Sequence, residues 1–141
     1  MKKQAVILQG AFVALLSFLM LQSVLSCGGP RDQRTPGEKG RELFVSYCMI
    51  CHGENGKPGP MADHLKVEPP DLTLISQRRG GAFPDEIIAK IIDGREPVAG
   101  HGTLDMPAWG DTFMESEGLK HKRDVKETVD NLVAYLKLIQ K

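Results

Sequence analysis

Cys48-Met49-Ile50-Cys51-His52 is the stretch that decides what this chain folds around. Cysteines three apart on a helical turn point the same way, and a histidine follows the second one directly. Both thiols can then reach the two vinyl groups along one edge of a haem. The His52 imidazole is left beneath the ring, where it can offer a nitrogen to the iron. This pentapeptide is the attachment pattern of a c-type haem. A bare Cys-x-x-Cys would have rivals in a zinc site or a thioredoxin-like dithiol. Zinc wants a second pair of ligands, and the only other cysteine is Cys27. A redox dithiol has no use for the adjoining histidine. The reading is one covalent haem c per chain, joined through Cys48 and Cys51, with His52 on the iron.

The iron needs a second axial partner. Met49 lies inside the attachment loop and cannot cross to the other face of the ring. Met61 follows His52 too closely for an easy path around a haem, and Met114 reads equally well as an ordinary core or surface residue. Met106 is followed by Pro107, which discourages helix at the preceding residue and holds Met106 in an extended loop. An extended loop is what must reach over a flat ring, so Met106 is the expected sixth ligand, its alternative being a core methionine. His101, between Gly100 and Gly102, is the competitor; a hydrogen-bonding loop residue is the plainer reading of it. His64 and His121 flank charged residues and read as solvated.

With these residues in view, Gly37 to Lys141 resembles the class I monohaem cytochromes c. The resemblance rests on the Gly40-to-Phe44 spacing before the haem motif, on His52-Gly53 after it, and on Asp105-Met106-Pro107-Ala108-Trp109-Gly110. It implies an all-α, cytochrome c-like fold of three to five helices wrapped around one covalent haem. It implies the methionine of the Met-Pro-x-Trp run as distal ligand, and crossed terminal helices in which Gly40 lets Phe44 and Tyr135 approach. It also implies a proline carbonyl that accepts a hydrogen bond from the haem histidine, for which Pro60 is the candidate and Pro58 the neighbour.

Periodicity places the scaffold. Gly40, Leu43, Phe44 and Tyr47 form one stripe of a helix over 38–47. Val125, Val129, Leu132, Val133, Leu136 and Ile139 form the matching stripe of a last helix, roughly 124–140. Pro84 and Gly94 bracket a middle helix containing Ile87, Ile88, Ile91 and Ile92. Asp71 is placed to cap a short helix over 71–77, and 53–70 is rich in turns. Arg95 is the expected partner of a haem propionate, since a guanidinium suits a carboxylate in a bidentate fork; an exposed helix-end arginine is the alternative. Trp109 is expected against the haem. His121-Lys122-Arg123 oppose the macrodipole of the helix they precede, so either Asp124 caps that helix or the basic cluster is a docking surface or simply a solvated face.

The N-terminus is of another kind. Lys2 and Lys3 precede Val6 to Leu25, which carries no charge, and Ser26-Cys27-Gly28 follow. That is the layout of a secretory signal peptide over 1–26, with an uncleaved membrane helix as the alternative. Either arrangement places the remainder on the periplasmic side of a bacterial membrane. Val24-Leu25-Ser26-Cys27 resembles the lipobox of bacterial lipoproteins, although Leu25 is larger than is usual there. Cys27 is therefore the candidate lipid anchor, with residues 27–36 a flexible tether and 37–141 the folded domain.

Eighteen basic and eighteen acidic residues balance to zero net charge, with no basic excess that would call for nucleic acid. The expected function is one-electron transfer in an extracytoplasmic electron-transport chain, with redox proteins and membrane complexes as partners, rather than enzymatic catalysis. Two other readings stand beside it: a fixed electron-transfer subunit of a membrane oxidoreductase, and a haem sensor or enzyme with an open distal site.

Overall fold

Helix α1 spans Pro36–Tyr47 and starts at a capping box. The Thr35 hydroxyl accepts from the Glu38 backbone N–H, and the Glu38 carboxylate accepts from Thr35 N at 2.7 Å. Pro36 takes the first helical position, where a missing N–H costs nothing. The helix thus begins two residues before the expected 38, because Glu38 serves its cap. The computed structural model describes residues 32–94, 107–119 and 121–141. Arg34–Lys141 form one compact unit, and Met1–Gln33 are a separate one.

After α1 come α2 (Met49–His52), α3 (Ile75–Arg78), α4 (Asp85–Asp93), α5 (Trp109–Ser116) and α6 (Lys122–Leu138). Two 3₁₀ turns, Ala62–His64 and Leu72–Leu74, complete the helical elements of the described residues, among which there is no strand. The fold is the expected small all-α one. The count exceeds the expected three to five helices because α2 and α3 are single turns and because α5 adds a helix that periodicity did not mark.

Helices α1 and α6 cross face to face. Val125, Val129, Leu132, Val133, Tyr135 and Leu136 are the buried stripe of α6, and Phe44 stacks against Tyr135 with ring centroids 5.2 Å apart. His121 is the N-cap of α6 and makes no side-chain capping bond. Asp124 does not cap the helix from outside; it sits in the first turn, where a carboxylate suits the positive helix end. Burial of the apolar stripe outweighs the unfavourable charge ahead of it.

Helix α4 runs from its N-cap Pro84 to Gly94, whose φ of 96° gives the left-handed C-cap that glycine adopts without strain. Ile88 and Ile92 are buried, and Lys137 of α6 binds the Asp85 carboxylate at 2.8 Å. The end of α4 abuts the start of α5: a Cβ built on Gly94 would lie 2.3 Å from that of Ala108. This contact brings the isoleucines of α4 and Trp109 of α5 to the same interior space. Tyr47 of α1 packs edge-on against Trp109 and Phe113, centroids 5.6 and 5.4 Å away, and its hydroxyl donates to Glu117. That bond is the main reason its pKa is raised.

Candidate functional site

The haem motif occupies a single helical turn set at an angle to α1. Cys48 N still donates to Phe44 O at 2.9 Å, but Cys48 itself turns away (φ −112°), and a new turn begins. His52 N donates to Cys48 O at 2.8 Å, and Gly53 ends the turn at φ +66°. A four-residue helix has no stability of its own. The following loop supplies it: Gly59 N donates to Cys51 O at 2.8 Å and Met61 N to Ile50 O at 3.2 Å. The chain after the motif folds back and satisfies carbonyls of the turn that holds it.

Inside lies a cavity of about 270 Å³. Cys48 and His52 contribute to its wall, with Phe44, Leu132 and Leu136 from the crossed helices, Ile88, Ile91 and Ile92 from α4, and Trp109 from α5. His52 is only 6% exposed. Cys51 lies on the same turn and is partly buried. Burial pushes the Cys48 thiol up to about 12, with the neighbouring Cys51 adding to the effect. A thiol so reluctant to ionise is a poor redox nucleophile. Nor is there, among the described residues, any group of three or more His, Cys, Asp or Glu side chains placed to hold a metal ion.

The residues present fit a haem. Two thiols and an imidazole sit on one turn, and the wall around Cys48 and His52 is almost wholly apolar. Trp109 Nε1 is buried without a hydrogen-bond partner among the described residues, a donor available to a polar group of a bound cofactor. Trp109 thus joins Cys48 and His52 at one cavity. Pro60 does not: it is exposed and does not line the cavity, whereas Pro70, ten residues later, does. The reason is the docking of Gly59 on the motif, which leaves Pro60 on the outside of the loop. Met61 and Met114 are each 40% exposed and contribute nothing to the cavity. His64 and His121 are exposed, as expected. Met106, Arg95, His101 and Cys27 lie outside the described residues.

Sequence reasoning missed Arg78 and Arg79, which line the cavity. The signal was there: a short predicted helix ending at Gln77 is followed by two cations and then by Gly80-Gly81.

A helical shell with Cys48 and His52 on the wall of an apolar cavity, and Cys51 on the same turn, fits a domain for covalently held haem. A family model described as cytochrome C oxidase, cbb3-type, subunit III matches residues 35–122, and the chain belongs to that family. It is a monohaem cytochrome c domain and carries haem c. No match is found among curated proteins or among solved structures.

Proposed function

We propose that this haem-based electron carrier works on the periplasmic side of a bacterial membrane, held there by its N-terminus, with His52 and Met106 as axial ligands. The observation that carries the reading is the placement of Cys48 and His52 on the wall of an apolar cavity. When bound, haem c supplies reversible one-electron chemistry, and a histidine–methionine pair raises its potential relative to harder ligand sets. Cys48 and Cys51 fix the group covalently, and His52 orients it. The isoleucines of α4, Phe44 and Leu132 exclude water and lower the local dielectric. With His52 and Met106 both engaged, the site would leave no open position for small ligands such as peroxide or carbon monoxide, which suits transfer rather than catalysis.

Absorption spectra of oxidised and reduced protein, wild type and Met106→Ala, test this. The expected result is a weak long-wavelength sulfur-to-iron band in the wild type that vanishes in the variant, with carbon monoxide binding gained only by the variant. A wild type without that band that binds carbon monoxide readily would move the reading to sensing or catalysis.

The family description names an oxidase subunit, which favours a second reading: a fixed electron-transfer subunit of a membrane oxidoreductase. A Cys27→Ser variant is expected to move from the membrane to the soluble periplasmic fraction if lipidation is the anchor. Retention would favour an uncleaved N-terminal helix. Detergent-solubilised wild type that elutes alone supports the carrier; recovery only in a stoichiometric complex supports the subunit.

A further inference from the structure

Apart from His52, the Cys48 thiol and the Trp109 indole N–H, the polar groups on the cavity's lining side chains are a pair of guanidinium groups. Arg78 is the last residue of α3 and Arg79 its C-cap. Both side chains are exposed, and among the described residues no ion pair engages either one. A two-cation edge on an otherwise apolar cavity has no purpose in packing. A four-residue helix also has too little dipole to need two cations at its end.

The turn that presents them is firmly held. Ile75 and Ser76 are buried, Ser76 N donates to Gln140 Oε1 at 2.9 Å, and Gln140 Nε2 donates to Leu72 O at 2.9 Å. Gly81 N then closes on Ser76 O at 2.8 Å. The guanidinium groups therefore project from a fixed base, not from a free loop.

Haem brings two carboxylates of its own into the site. Set against an apolar wall without cations, they would lose hydration and gain nothing in return. Guanidinium groups offer planar forks that match carboxylates and stay charged at every working pH. We propose that Arg78 and Arg79 are the propionate-binding residues of this chain. They fix which edge of the haem faces outward, and their positive charge favours the ferrous state. The proposal rests on the haem reading, whose own failure would show separately as absence of covalently attached haem.

The test is potentiometric titration of full-length holoprotein carrying Arg78→Gln and Arg79→Gln together, after the covalent haem yield has been matched to wild type by its alkaline pyridine spectrum. The reduction equilibrium is expected to shift against the ferrous form by roughly tenfold, about 59 mV for one electron. Arg78→Lys with Arg79→Lys is expected to recover at least half of that shift, since charge is kept and only the fork is lost. If the double variant yields no holoprotein, each single Gln variant is expected to show part of the fall. A wild-type potential in the Gln variants overturns the assignment. So does a Lys variant that falls as far as the Gln one.

Discussion

Replacing His52 with alanine is expected to abolish the low-spin haem spectrum outright, not to weaken it by a fraction. The imidazole sits at the end of a single turn whose direction is set by the bend at Cys48 and the stop at Gly53. Its ring is buried, and Nδ1 is wholly enclosed. No other histidine among the described residues can take its place, because His64 and His121 are exposed and neither lines the cavity. Alanine leaves the turn itself intact, since the bonds from Gly59 and Met61 go to the Cys51 and Ile50 carbonyls. Cys48 and Cys51 remain able to form thioethers, so covalent haem and axial ligation separate in one variant. The check is a denaturing gel stained for haem beside a native absorption spectrum. Stained protein with a high-spin spectrum is the expected outcome. A native spectrum unchanged from wild type would remove His52 from the iron.

What could be read from the residues alone divides along a physical line. Features set by neighbours in the chain were legible. The haem pentapeptide declares its chemistry by spacing, and Pro84 with Gly94 bracketed α4 because a proline start and a glycine stop act locally. Features set by packing were not. Helix α5 contains Gly110 and Thr112, poor helix formers, and shows no long apolar stripe. It is held by Trp109 and Phe113, which are buried beside Tyr47, more than sixty residues earlier in the sequence. Likewise, Pro70 lines the cavity while Pro60 is exposed beside Gly59, whose backbone docks on the motif. Arg78 and Arg79 reach the cavity only because α3 is pinned through Gln140, more than sixty residues away in sequence. Local rules see none of these long-range ties.

The close backbone approach at the α1–α6 crossing carries a large expected loss of stability, and Gly40→Ala measures it. A Cβ on Gly40 would lie 1.9 Å from the Asn131 carbonyl oxygen, 2.6 Å from its carbon and 2.9 Å from Tyr135 Cβ. Two of those atoms are α6 backbone, so no side-chain rotation relieves the overlap. Helices α1 and α6 must separate, and Phe44 and Leu132, each 1% exposed, lose their fit at the crossing. Overpacking of this kind costs up to about 3 kcal/mol. Alanine returns roughly 1 kcal/mol through its better helix propensity. The net loss is then about 2 kcal/mol, a fall in Tm of roughly 8–16 °C for a domain near 100 residues. Gly37→Ala, on the same helix, provides the contrast. Its Cβ would meet Leu138 Cδ1 at 2.4 Å, but that atom is the end of a flexible side chain that is 73% exposed and can swing aside. Its effect is expected to stay within about 0.5 kcal/mol. Thermal melts of the two holoprotein variants therefore separate steric closeness of backbones from the mere loss of a glycine. Equal melting temperatures would mean that the α1–α6 crossing has room to spare at Gly40.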